Sequence, residues 1–242
     1  MKKNILLVLM LFLATNTFAH YLWIETKPVG KEHKKHEIKV RFGEYTYGVI
    51  EQVNGDAFQG VNDFQLWLIA PDGSKTTLTV NPEKDHYTTS FVPTQKGTYT
   101  IALDNKSMKV LDYTAYDFGI FKPQYHAKAR VVVGNGIDKT KETNPEGIEI
   151  IDLSDDKPGK DQQVTLKVLF KGKPLAKNEI VIYVADLWSK TLETDENGQV
   201  SLKLPWQTMY TVEVTYNEQV PGSFNNTAYE FIWHCATYCI PL

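Results

Sequence analysis

Cysteine is nearly absent from this chain: Cys235 and Cys239 are the only two in 242 residues, both close to the C-terminus. A disulfide framework therefore cannot be what holds distant parts together. Long apolar runs are equally scarce. Past Leu13 no stretch approaches the ~20 residues that a membrane-spanning helix needs, so no stable membrane insertion is expected of the chain beyond that point. Positive charge is not in excess either, with 26 basic residues against 29 acidic ones. Nucleic-acid binding, which depends on neutralising phosphates, is not expected. Enzymatic signatures are missing as well. There is no His-Glu-x-x-His helix, no Gly-x-Ser-x-Gly elbow, no phosphate loop and no dinucleotide fingerprint. Carboxylates abound, but none is marked as a pair by an apolar setting, and Asp195-Glu196-Asn197-Gly198 lacks the other ligands of a calcium loop. The expectation is a protein that is not an enzyme.

The first segment does carry a pattern. Lys2-Lys3, the apolar run Ile5 to Leu13 and the ending Thr17-Phe18-Ala19 read as a secretory leader over residues 1–19, and the mature chain is expected in the periplasm. Removing Lys2 and Lys3 takes the 26 basic residues to 24 against the same 29 acidic ones, a mildly acidic exported protein. Cleavage after Ala19 would leave His20 first. Its α-amine, with an ordinary pKa of ~7.7–8.0, and its imidazole can then close a chelate on one metal ion.

Beyond Trp23 the hydrophobic pattern has period two and no 3.6-residue component. Ile38, Val40 and Phe42 alternate with Glu37, Lys39 and Arg41; Phe64, Leu66, Leu68 and Ala70 repeat the pattern. Gly43-Glu44-Tyr45-Thr46-Tyr47-Gly48 is an aromatic stretch bracketed by glycines, which predicts a bend. Turn formers concentrate at Gly134-Asn135-Gly136, Asn144-Pro145-Glu146-Gly147 and Asp155-Asp156-Lys157-Pro158-Gly159. That places a boundary there. The predicted organisation is all-β: two immunoglobulin-like β-sandwich domains in tandem, 20–135 and 162–242, joined by a linker over 136–161 with a short strand at Ile148 to Leu153. In the second unit Val164, Leu166, Val168 and Phe170 alternate, as do Tyr210, Val212, Val214 and Tyr216.

The order strand, Gly-Lys-Pro turn, strand, Asp-Glu-Asn-Gly turn, strand in that unit resembles the small sandwich of transthyretin-like and carboxypeptidase-regulatory-like domains, a likeness that implies fold and not activity. A wider resemblance rests on His20-Tyr21-Leu22-Trp23, Gly147-Ile148-Glu149-Ile150-Ile151-Asp152-Leu153, Val168 to Ala176, Thr194 to Gly198 and Val220-Pro221-Gly222-Ser223-Phe224. These stretches look like an exported two-domain family of unknown function whose members carry a nickel or cobalt transport label. The resemblance implies a transition-metal cofactor or cargo and a membrane metal transporter or outer-membrane receptor as partner.

Six histidines are available to a borderline metal such as Ni, Co, Cu or Zn, which takes nitrogen ligands readily. His20 is the primary candidate, with His126 and His234 as the residues to complete the site. Each has an ordinary alternative: His126, beside Lys128 and Arg130, as a surface histidine, and His234 as a hydrogen-bonded core histidine. In Glu32-His33-Lys34-Lys35-His36-Glu37 the His-x-x-His pair is wrapped in charge and reads as a solvated loop. Strand alternation puts His234 with Ile232 and Ala236, and Cys235 with Trp233 on the other face. Cys235 and Cys239 are the candidate disulfide, on condition that the chain turns after Thr237; a thiolate metal site or free thiols are the alternatives. The function expected is transition-metal binding in nickel, cobalt or copper uptake or handling. A non-catalytic protein- or glycan-binding module, presenting Tyr45, Tyr47, Trp188, Trp206 and Trp233, is the second reading, and copper-dependent polysaccharide oxidation the third.

Overall fold

The computed structural model describes residues 20–58, 60–136, 138–155, 159–185 and 187–241, and the expected leader over 1–19 lies outside them. Strands and short 3-10 turns are the regular elements of the described residues, so the all-β expectation holds. The first half contributes β1 (Tyr21–Thr26), β2 (His36–Glu44), β3 (Gln65–Ile69), β4 (Tyr87–Phe91), β5 (Gly97–Asn105) and the long β6 (Gly119–Val133). The second contributes β7 (Ile148–Asp152), β8 (Gln163–Phe170), β9 (Glu179–Val184), β10 (Trp188–Glu193), β11 (Gln199–Lys203), β12 (Tyr210–Glu218) and β13 (Phe231–Ile240).

β1, β2 and β4 form one sheet, β7, β8 and β11 another. Between them runs a sheet that belongs to both halves, in the order β10-β9-β12-β13-β6-β5-β3. Its join is a parallel pairing of β6 with β13, in register from Phe121 opposite Phe231 to Ala129 opposite Cys239. Tandem sandwiches read from the sequence are thus fused through one strand ladder. Parallel neighbours need a long connection, and here that connection is the whole second half of the chain.

The alternation expected of the last strand extends along its length. Phe231, Trp233, Cys235 and Cys239 enter the core built from the first half, while Ala236, Tyr238 and Ile240 enter the core built from the second. Each large apolar side chain buried this way contributes about 1.5–3 kcal/mol, so β13 is a wall shared by two cores.

The other face of β6 overturns a simple reading of its pattern. Lys122, His126, Lys128 and Arg130 sit at alternate positions, as on a solvated face, yet all four are buried. Residues 138–155 cover three of them. His126 Nε2 meets Thr143 Oγ1 at 2.9 Å, Lys128 Nζ pairs with Glu149 and donates to the Lys141 carbonyl at 2.8 Å, and Arg130 Nε lies 3.2 Å from Asp152. Tyr238 donates to that same Asp152 carboxylate at 2.6 Å. Partners for every buried charge are what make such a seam tolerable. The alternative of a surface histidine at position 126 fails for this reason.

Candidate functional site

His20 stands immediately before β1. Its ring packs on Phe42, with centroids 5.3 Å apart, and its Nε2 lies 2.8 Å from Glu51 Oε1. What brings Glu51 there is the glycine-bracketed bend. Gly43 pairs with Ile50 and Glu44 with Val49, Tyr45–Tyr47 make a 3-10 turn, and the Glu51 amide closes on the Phe42 carbonyl at 2.9 Å. At Gly43 φ is +149°, and a Cβ would come within 2.4 Å of the Val49 carbonyl oxygen, so the return path requires glycine.

Next to His20, a cavity of about 440 Å³ opens between the two halves. Tyr21, Phe42, Tyr125 and Trp233 line its buried part; Tyr113, Tyr116 and Phe118 stand towards solvent; Glu213 and Thr215 enter from β12. Glu213 is buried and accepts hydrogen bonds from Tyr45 Oη, at 3.0 Å, and from Tyr21. Burial pushes its carboxyl up to about 7, against the two tyrosine hydrogen bonds, which favour the ionised form, while nearby Glu44 raises it further. Burial likewise drives the Tyr45 hydroxyl and the Cys235 thiol well above their ordinary values, and Glu213 adds to both. A carboxyl so perturbed in a cleft marks a candidate functional group.

No sequence pattern marks this group. Glu213 falls between Thr211 and Thr215 on the polar side of a strand whose other side is Tyr210, Val212 and Val214, so periodicity assigns it to solvent. Aromatic residues contributed from β1 and the bend, more than 160 positions earlier as the Tyr45 bond shows, create its apolar surroundings. Glu51 was equally invisible as a partner of His20.

His126 and His234 do not join His20. Tyr125 and Trp233 line the cavity, and the residues that follow them point to the opposite side of the same sheet. His126 Nδ1 is 2.5 Å from Asp104, and His234 Nε2 is 2.9 Å from Glu218 and packs edge-on to Phe170. Among the described residues no group of three or more His, Cys, Asp or Glu gathers as metal ligands would. The hydrogen-bonded core histidine weighed for position 234 describes what is found there. His36, assigned to a charged loop with His33, instead opens β2, is buried, and bonds Thr26 Oγ1 at 2.8 Å.

The disulfide expected between Cys235 and Cys239 is not formed; both thiols are free and buried. The turn it requires after Thr237 is absent because β13 stays extended to Ile240. Four extended residues hold their Cα atoms about 13 Å apart, whereas a bridge needs less than about 7 Å. Both thiols are expected to react with Ellman's reagent only after unfolding, and a reductant should leave the melting temperature unchanged. An intact mass lighter by two hydrogens would contradict this.

With the geometry established, comparison with known proteins places the sequence. A family model described as a domain of unknown function, DUF4198, matches residues 17–218. The chain belongs to the DUF4198 family. The match covers His20, Glu51 and Glu213 and ends at the last residue of β12, before β13. No curated protein matches this DUF4198 chain. Among solved structures it is similar to the CARDB domain of a Pyrococcus furiosus protein in solution, at 18% identity over 47% of this chain and 93% of that one, with a TM-score of 0.25. A crystal structure of the same domain in complex with di-metal ions gives 16% identity over 49% and 90%, with a TM-score of 0.23.

Proposed function

We propose that this DUF4198 protein is an exported, non-enzymatic metal-binding protein that handles nickel, cobalt, copper or zinc during uptake, with His20 as the primary ligand once the leader is removed. The observation that carries this reading is the contact between His20 Nε2 and Glu51. A carboxylate can only accept, so this contact favours the tautomer in which Nε2 donates, and in the neutral ring that tautomer offers its Nδ1 lone pair to a cation. Metal-ligating histidines are commonly held in this way, by a carboxylate on the ring nitrogen that does not bind. The freed α-amine and Nδ1 belong to one residue and close a chelate without further help from the fold. His20 is only partly buried, with 26% of its side chain exposed, so an ion can reach it.

Two nitrogens from one residue fit a divalent ion held for transfer better than one fixed structurally, because water or a partner would complete the coordination. A membrane metal transporter or an outer-membrane receptor is the class of partner such a carrier would meet. The test uses exported protein whose intact mass shows that it begins at His20, titrated with Ni(II), Cu(II) and Zn(II) in a calorimeter. His20→Ala is expected to weaken binding at least about 100-fold, and Glu51→Gln by about 10-fold or more, as for other carboxylates that orient a ligating ring. Unchanged affinity in His20→Ala overturns the assignment.

A second reading, a protein- or glycan-binding module, has one observation in its favour. A cleft of about 520 Å³ includes Tyr47, Trp188 and Leu187, and Leu187 is 83% exposed. Retention on a polysaccharide column with no metal binding would favour it. Oxygen-dependent glycan cleavage by the copper-loaded protein would instead support the oxidative reading.

A further inference from the structure

The cavity between the two halves is lined by aromatic rings and, among the described residues, by one acidic side chain, Glu213. Trp233, Tyr21 and Tyr125 are buried in it, with Trp233 6.3 Å from the Tyr21 ring and edge-on to Tyr125 at 5.8 Å. Tyr116, 66% exposed, and its neighbour Tyr113, with ring centroids 5.7 Å apart, stand where the cavity meets solvent. Among the described residues no lysine or arginine lines it. The basic side chains of β6 lie on its other face, Lys128 and Arg130 in the seam beneath residues 138–155 and Lys122 on the Lys106 and Met108 carbonyls, because Tyr125 occupies the cavity face of that strand.

We infer that this cavity binds a small organic cation of the substituted-ammonium class, its charge set among the aromatic faces and balanced by the Glu213 carboxylate. Three features select this class over others. An anion would be repelled by Glu213, and among the described lining residues only His20, at the edge of the cavity beside Phe42, could offset that charge. A neutral apolar molecule would leave a buried carboxyl without use. An ammonium ion is attracted by the negative faces of Trp and Tyr rings, most strongly where water is excluded, and it is too bulky and too poor in donors to need a ring of oxygen ligands. About 440 Å³ lies within the range of small-molecule sites, which favour junctions between structural units. The carboxyl of Glu213, pushed up to about 7 by burial, is also a group that a bound cation would return to its ionised form.

This inference does not rest on metal binding at His20, and its test is arranged to stay clear of it. The full exported chain, kept in EDTA, is titrated with choline and with 3,3-dimethylbutan-1-ol, which has the same shape and no charge. Choline is expected to bind at least about tenfold more tightly than the alcohol. Glu213→Gln, which keeps an oxygen to accept from Tyr45 and Tyr21, is expected to remove that preference. Tyr116→Ala, at an exposed position where folding is not at stake, is expected to weaken choline at least about threefold. Equal binding of the two probes, no choline binding up to about 50 mM by NMR, weaker than the millimolar range by more than tenfold, or an unchanged preference in Glu213→Gln would each overturn it.

Discussion

Replacing Lys128 by Met is expected to lower the stability of this protein by about 3–5 kcal/mol, a large part of the roughly 5–15 kcal/mol that holds a typical domain folded. The Lys128 ammonium and the Glu149 carboxylate are both buried and paired, and Thr143 supplies Glu149 with its amide at 2.8 Å. Burial works against the Glu149 charge, but the neighbouring ammonium and the Thr143 amide outweigh it and hold the carboxyl below its ordinary range. Methionine fills the space of the lysine stem without its charge, so the main loss is the abandoned carboxylate. The double variant Lys128→Met with Glu149→Gln is therefore expected to recover most of the stability, a coupling that a double-mutant cycle in urea measures directly. A single-variant loss below about 1 kcal/mol, the size of a solvated surface pair, would mean the seam is wet.

Raising the pH from 4.5 to 8 is expected to cost the folded state about 3 kcal/mol through Glu213 alone. Burial lifts its carboxyl from 4.5 to about 7. Between those values the unfolded chain has released the proton that the native chain keeps. Stability then falls as pH rises, by about 1.4 kcal/mol for each unit of the shift, and the loss is complete above about 7. Glu213→Gln has no proton to lose, so its stability should be flatter across this window, and the gap between variant and parent should widen by about 3 kcal/mol from the acidic to the alkaline end. Comparing the two proteins cancels every other titrating group, including Asp85, which His86 and Arg41 hold down at about 2. Parallel pH profiles would show that water reaches the Glu213 carboxyl.

Both predictions concern side chains that strand periodicity assigns to solvent, and the reason is the same in each case. Period two is a local property of the backbone. It places Trp233 and Cys235 on one face of β13 and Ala236 on the other from the sequence alone, and the two cores confirm that placement. It says which residues share a face and nothing about what lies over that face. Lys122, His126, Lys128 and Arg130 share one side of β6, and residues 138–155 bury most of that side after a turn that the sequence reads only as a boundary. The cysteines fail in the opposite direction: the exported location expected from the leader pattern would favour their pairing, and extended geometry forbids it.

The sequence by itself determined the all-β class, most of the strands other than β6, and the bend at Gly43 to Gly48, because propensity, turn chemistry and alternation act over a few neighbouring residues. Only the tertiary structure decided that β6 and β13 pair and join both halves in one sheet, that Glu51 meets His20, that His126 and His234 face away from it, and that Glu213 lies among aromatic rings. Those contacts link residues from about thirty to nearly two hundred positions apart, and no local pattern encodes a distance of that kind.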